Sequence, residues 1–73
     1  MESIPDEFLC PISTDIMSDP VITSAGQTYE RSCIEEWLES HDTDPMSHIP
    51  ISRTLTPNIA MRQAIERYKK QSS

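Results

Sequence analysis

Cysteine, glycine and long apolar runs are scarce in this chain, and the first and last of these scarcities each exclude a class of protein. The 73 residues include two cysteines, too few for the disulfide framework of a small secreted domain. No window approaches the roughly 18 apolar residues of a membrane span. Residues 1–7 carry three acids and lack the basic and apolar regions of a secretion signal. We therefore expect a protein of the reducing cytoplasm or nucleus, with no membrane partner.

Cations are almost absent from the first part of the chain. Residues 1–44 hold eleven of the twelve acidic side chains and Arg31 as their only cation, whereas residues 45–73 hold five cations and one acid. Nucleic-acid binding requires a clustered basic surface, and cations late in a helix are the ordinary complement to its dipole. We therefore expect no nucleic-acid partner.

The chain is also too short for a large hydrophobic core. At 73 residues it forms one small domain, in which the apolar area buried on folding barely outweighs the lost conformational entropy. Such domains normally need a metal, disulfides, a partner or a network of polar bonds.

A short hairpin is predicted just before the central helix. Residues 21–23 are β-prone, residues 24–27 form a turn, and residues 28–29 supply the return strand. The turn contains Gly26, the only glycine of the chain, which suits a positive φ.

Two amphipathic helices are predicted after the hairpin. The first covers residues 31–40, with Ser32 or Glu30 as alternative N-caps. The second takes Thr56 as its N-cap and Pro57 as its first helical residue. Its apolar stripe is expected to face the domain's own core and consists of Met61, Ala64, Ile65 and Tyr68.

Two further segments, residues 5–19 and 41–56, are too hydrophobic for solvated tails. We expect both to be ordered loops packed on the core, the second with room for a short third strand. The sequence thus predicts an α+β fold with a short hairpin, a central helix, a C-terminal helix and two long ordered loops.

Several ordered blocks extend from Ile4 to Tyr68. They are residues 4–13 (IPDEFLCPIS), 19–21 (DPV), 26–31 (GQTYER), Ile34 with Trp37 and Leu38, and 55–58 (LTPN). In order and spacing they resemble the U-box, the zinc-free relative of the RING domain found in ubiquitin ligases. The resemblance implies a RING-like fold in residues 4–70, flanked by tails at residues 1–3 and 71–73, with no metal and no other cofactor.

The spacing of RING zinc ligands locates eight positions on this chain. They are Cys10, Ser13, Glu30 and Cys33 for one ion, and Ala25, Gln27, Asp44 and Ser47 for the other. The second set has no thiolate or imidazole, and the first lacks the Cys-x-x-Cys spacing typical of structural zinc. We therefore expect neither set to hold a metal.

Hydrogen bonds are the expected replacement for zinc. Each bond adds about 1 kcal/mol net, so several are required. Arg31 and Arg53 are candidate partners for the carboxylates of this network. The predicted network comprises Ser13, Gln27, Glu30, Asp44 and Ser47.

The resemblance also implies a function. In U-box ligases the two loops and the central helix bind a ubiquitin-conjugating enzyme charged with ubiquitin. The ubiquitin is then transferred from the enzyme's thioester to a lysine of a substrate protein. This sequence does not identify the substrate. The rate enhancement comes from positioning. Cys10 or Cys33 as a covalent ubiquitin acceptor is disfavoured, because no activating base is marked beside either thiol. The matching contact residues are Ile12, Trp37 and Pro45, with Pro50 nearby.

One position departs from the ligase pattern. An arginine often follows the last ligand position and bridges the conjugating enzyme and ubiquitin, whereas here that residue is His48. Histidine is shorter and lacks the guanidinium fork, so we expect weaker activation. The alternative is a U-box fold retained for docking or homodimerisation, with little ligase activity.

Overall fold

The computed structural model describes residues 4–71 and has the predicted small α+β fold. Its elements are a 3-10 helix (Asp6–Phe8), strands β1 (Pro20–Ile22) and β2 (Thr28–Glu30), helix α1 (Arg31–Leu38), strand β3 (Thr56–Pro57) and helix α2 (Ile59–Gln71). The predicted N-terminal tail, residues 1–3, and the last two residues of the predicted C-terminal tail lie outside the described part. Among residues 4–71 there is no helix with the length and apolar character that a membrane crossing requires.

The hairpin is confirmed, with strands that begin and end within one residue of the prediction. β1 is the middle strand of an antiparallel sheet of order β2-β1-β3. Val21 pairs with Tyr29 of β2 on one side and with Pro57 of β3 on the other. Gly26 has a φ of 86°, so the turn requires the conformation that glycine adopts without strain.

Helix α1 begins where it was predicted and ends two residues earlier. The Glu30 carboxylate accepts a hydrogen bond from the N–H of Arg31, so Glu30 rather than Ser32 is the N-cap. The N–H groups of Ser40 and His41 both donate to the carbonyl of Trp37, at 3.3 and 3.1 Å. These bonds close the last turn of the helix.

The start of helix α2 corrects the prediction. Thr56 and Pro57 form strand β3 instead of the first turn, and the Asn58 side-chain oxygen accepts from the N–H of Met61 at 3.1 Å as the cap. Pro57 fits an edge strand because its missing N–H would face away from the sheet. Pairing with β1 therefore prevails over the local capping signal of Thr56.

The core lies between α1, α2 and the sheet. Its buried residues are Phe8, Cys10, Met17, Val21, Tyr29, Ile34, Leu38, Ile51 and Ile65. The predicted α2 stripe is confirmed, since Ile65 is buried and the other three residues pack against the core. The Phe8 and Tyr68 rings meet edge to face with centroids 5.5 Å apart, which fixes the 3-10 helix to α2.

Candidate functional site

Two loops of closely similar construction flank helix α1. Loop 1 (residues 9–16) is closed by pairing of Leu9 with Ile16, and loop 2 (residues 43–50) by pairing of Thr43 with Pro50. Both predicted segments are therefore ordered at these loops.

The chain reverses in each loop through the same hydrogen bond. The N–H of Thr14 donates to the carbonyl of Cys10 at 2.7 Å, and the N–H of His48 donates to the carbonyl of Asp44 at 2.8 Å. Thr14 and His48 have φ values of 61° and 62°, so the fifth residue of each reversal lies in the left-handed region. The third residue of each reversal, Ile12 or Met46, is exposed.

An open groove of about 270 Å³ lies between loop 1 and helix α1. Ile12, 40% exposed, lines it from loop 1. The other lining residues are Cys33, Glu36 and Trp37 of α1 and Ser40 in the turn that follows it, which recur at i, i+3, i+4 and i+7. The structure therefore brings Ile12 and Trp37 to one surface, as a predicted contact pair requires.

Trp37 ties the groove to loop 2. Its indole Nε1 donates to the carbonyl of Thr43 at 2.7 Å, and its ring stacks on His41 with centroids 3.6 Å apart and planes at 5°. Pro45 is half-buried and Pro50 exposed in the same loop. Neither proline is among the residues that line the groove within the described part.

The Glu30 carboxylate lies beside the chain that follows loop 1. It accepts from the N–H and hydroxyl of Ser18, at 3.0 and 2.9 Å, and from the N–H of Asp19 at 2.8 Å. Burial alone would raise the pKa of Glu30, but these bonds lower it below its ordinary value. Ser13 matches a RING zinc ligand of the same set as Glu30, and its hydroxyl accepts from the N–H of Asp15 at 3.3 Å.

The two thiols lie in the same neighbourhood. Cys10 is 1% exposed, and its sulfur accepts from the N–H of Glu30 at 3.3 Å. Burial alone would raise the pKa of Cys10, yet the N–H groups of Glu30 and Ser13 lower it. Burial and the adjacent Cys10 raise the pKa of Cys33. Residues 4–71 bring together no group of three or more His, Cys, Asp or Glu side chains suited to a metal ion.

Asp44, another of the positions that match RING zinc ligands, accepts four hydrogen bonds, as Glu30 does, and is 0% exposed. Its Oδ2 accepts from the N–H groups of Met46 and Ser47 and from the Tyr29 hydroxyl, each at 2.9 Å, and its Oδ1 accepts from Thr23 at 3.4 Å. Burial would raise the pKa of Asp44, but the bonds to its charged form lower it. For Tyr29, burial and the Asp44 carboxylate raise the pKa far above its ordinary value.

Two expectations about the network differ from the observed contacts. The prediction of an arginine partner is wrong for Arg31, whose side chain instead pairs with Asp19 at 2.7 Å. Backbone N–H groups and hydroxyls hold the half-buried Glu30 carboxylate and the buried Asp44 carboxylate. Gln27 is exposed in the hairpin turn, where its backbone carbonyl accepts from Thr23. The Ser47 hydroxyl accepts from the N–H of Ile49 at 3.5 Å, at the limit of a hydrogen bond.

Comparison with known proteins identifies the family. A family model of the U-box domain matches residues 4–73. The chain belongs to the U-box family. U-box domain-containing protein 12 of Oryza sativa subsp. japonica is 57% identical over 67 residues, which cover 89% of this chain and 11% of that protein. The E3 ubiquitin-protein ligase SPL11 of the same species is 53% identical over 68 residues, covering 90% and 10% of the two chains.

An animal relative and a solved structure extend the comparison. The WD repeat, SAM and U-box domain-containing protein 1 of Danio rerio is 50% identical over 66 residues, which cover 88% of this chain and 14% of that protein. The solution structure of the RING finger-like domain of Retinoblastoma Binding Protein-6 has a TM-score of 0.83 and 39% identity, covering 94% of this chain and 80% of that chain. The U-box described here thus has a RING-like fold, and it spans about a tenth of the length of its curated plant relatives.

Sequence reasoning missed several residues of the U-box groove. The helical spacing of Cys33, Glu36 and Ser40 with Trp37 was a usable signal, because residues at these intervals share one helix face. Nothing in the sequence indicated that the carbonyl of Thr43 would hold the indole.

Proposed function

We propose that this U-box recruits a ubiquitin-conjugating enzyme charged with ubiquitin and promotes transfer of ubiquitin from the thioester to a substrate lysine. The enzyme docks in the groove between loop 1 and α1, with Ile12 and Trp37 as central contacts and Pro45 and Pro50 at the loop 2 side. The reaction needs no covalent intermediate on this chain, because binding and orientation of the charged enzyme supply the rate enhancement.

The observation that carries the proposal is that Ile12 and Trp37 line the same groove. Ile12 is exposed on a reversal closed by a backbone hydrogen bond, and the indole opposite is held by the carbonyl of Thr43. An exposed aliphatic side chain beside an ordered indole is the kind of apolar anchor that dominates small interfaces. A relative named as an E3 ubiquitin-protein ligase, 53% identical over 68 residues, supports the same assignment.

The environment of the thiols supports a non-covalent route. Cys10 is almost completely buried, so a thioester on another protein cannot reach its sulfur. Cys33 lines the groove, but burial and the adjacent Cys10 raise the pKa of its thiol. A thiol of raised pKa is a poor nucleophile at neutral pH.

An autoubiquitination assay tests the proposal. The domain is incubated with ubiquitin, activating enzyme, ATP and a panel of conjugating enzymes, beside Ile12→Ala and Trp37→Ala variants that circular dichroism shows to be folded. We expect activity with at least one conjugating enzyme and its loss in both variants. No activity across the panel would favour a docking or dimerisation module instead.

His48 allows a separate prediction about the strength of activation. Its side chain is exposed at the end of the loop 2 reversal, where an arginine could place a guanidinium fork between conjugating enzyme and ubiquitin. We expect His48→Arg to raise discharge of ubiquitin to free lysine several-fold. His48→Lys, which adds charge without the fork, should raise it less. An unchanged or lower rate in His48→Arg would contradict this role for the position.

A further inference from the structure

The indole of Trp37 is held from two directions in the folded domain. Its Nε1 donates to the carbonyl of Thr43 at 2.7 Å, and one face of its ring is covered by the His41 imidazole, with centroids 3.6 Å apart and planes at 5°. Ile12 lines the same groove as Trp37. The indole that lines the groove is therefore covered on one face by His41 and bonded at Nε1 to loop 2.

His41 is itself held in place against the end of α1. Its backbone N–H donates to the carbonyl of Trp37 at 3.1 Å. Its ring Nδ1 lies 3.2 Å from that carbonyl and 3.0 Å from the Ser40 hydroxyl. A carbonyl only accepts hydrogen bonds, so the bond to Trp37 requires the proton on Nδ1. The imidazole plane is thus fixed by the helix end that carries the indole.

From this geometry we infer that His41 is a positioning residue for partner binding. It holds the Trp37 indole in the orientation that forms the wall of the groove before a conjugating enzyme arrives. A tryptophan without the stack would have to be ordered on binding, and that ordering weakens affinity. The inference rests on the proposed function, because the groove must be the docking site for the enzyme.

Flatness of the ring is the property that matters in this arrangement. Phenylalanine at position 41 keeps a planar ring to stack on the indole and loses the Nδ1 bonds, whereas glutamine keeps a polar group and loses the stack. Stacked aromatic pairs correspond to about a threefold to tenfold change in an equilibrium constant. A general structural role for His41 would show no such preference for a ring.

The test measures binding of the conjugating enzyme that the unaltered domain binds most tightly within the panel. Calorimetry is applied to the unaltered domain, His41→Ala, His41→Gln, His41→Phe and Trp37→Ala, with Glu39→Ala as a matched exposed control on the neighbouring turn. Trp37 is the only tryptophan, so time-resolved fluorescence anisotropy of each folded variant that retains it reports motion of this indole alone.

We expect His41→Ala and His41→Gln to bind about threefold to tenfold more weakly, with faster indole motion. His41→Phe should restore both quantities to within about twofold of the unaltered domain, and Glu39→Ala should change neither. Full affinity and unchanged anisotropy in His41→Ala would overturn the inference alone, provided Trp37→Ala loses binding. Undetectable binding by the unaltered domain, or full binding by Trp37→Ala, would overturn the proposed function and the inference with it.

Discussion

Loop 1 and loop 2 share a backbone path and differ in the chemistry that holds it. The reversals have the sequences Cys-Pro-Ile-Ser-Thr and Asp-Pro-Met-Ser-His. In each, the N–H of the fifth residue donates to the carbonyl of the first, and the fifth residue has a left-handed backbone conformation. Cys10 begins the first and Asp44 the second, and both are buried. The sulfur of Cys10, a weak acceptor, accepts from the N–H of Glu30 at 3.3 Å, whereas the Asp44 carboxylate accepts four hydrogen bonds.

The difference indicates what the fold requires at these positions. A buried acceptor at the start of each loop is common to both, but its chemical type is not. A carboxylate withdrawn from water is costly unless hydrogen bonds satisfy its charge. We therefore expect the stability of loop 2 to depend on Asp44 more than the stability of loop 1 depends on Cys10. The third residues also differ, since Ile12 lines the groove and Met46 is not among its lining residues in the described part.

The largest expected effect comes from removing the two buried acceptors in turn. Asp44→Ala leaves the Tyr29 hydroxyl and the N–H groups of loop 2 without their partner, and we expect a loss of about 3–5 kcal/mol in the free energy of unfolding. Cys10→Ala is the matched change in loop 1, with an expected loss of about 1–2 kcal/mol. Urea denaturation followed by circular dichroism measures both. Equal losses, or a larger loss for Cys10→Ala, would show that the two acceptors do not differ in importance.

Acid should weaken the domain through the carboxylates. Burial opposes ionisation of Asp44 and Glu30, but hydrogen bonds outweigh it and hold their pKa values below the ordinary 3.8 and 4.5. The stabilisation is therefore complete above about pH 5 and is lost as the pH falls through the lowered pKa values. The effect is smaller than in Asp44→Ala, because a protonated carboxyl keeps part of its bonds.

Urea denaturation across the acid range measures this decline. Glu30→Gln removes one of the two titrating groups, so its unfolding free energy should fall less steeply with acid than that of the unaltered domain. A free energy that rises on acidification, or an unchanged slope in Glu30→Gln, would contradict the assignment.

The exposed third residues of the two reversals, Ile12 and Met46, allow the loops to be compared by their effect on partner binding. Ile12 is 40% exposed and lines the groove, whereas Met46 is 60% exposed and belongs to loop 2. We expect Ile12→Ala to weaken binding of a conjugating enzyme about tenfold, and Met46→Ala to change it by less than about threefold. Calorimetric titration gives both dissociation constants. Equal losses would mean that the enzyme contacts both loops alike.

The smallest expected effect concerns the left-handed residues. Thr14, with a φ of 61°, is β-branched, and His48, with a φ of 62°, is not. Branching at Cβ makes the left-handed region more costly, so Thr14→Gly should raise the free energy of unfolding by about 0.5–1 kcal/mol. His48→Gly should raise it less. A destabilised Thr14→Gly domain in urea denaturation would indicate that the threonine side chain stabilises loop 1.

Much of the fold was predictable because its signals are local. The hairpin follows from β-prone residues around a glycine turn, and α1 and α2 follow from apolar side chains at helical intervals. The start of α2 was mispredicted because Thr56 and Pro57 make a good local helix start, and only β1 reveals that they are a strand. Ile12 and Trp37 came from the resemblance to the U-box, which the family match confirms as a relationship.

By itself the sequence determined the hairpin, the two helices and their order, the family and the lack of a cysteine or histidine set for zinc. Tertiary structure alone decided which donors bond to the carboxylates at the positions that match RING zinc ligands. Glu30 bonds Ser18 across 12 residues, and Tyr29 bonds Asp44 across 15. Local propensities act over a single helical turn or a hairpin, whereas these donors become neighbours only when the loops close on α1. For the same reason no sequence pattern indicated that the carbonyl of Thr43 would hold the groove tryptophan.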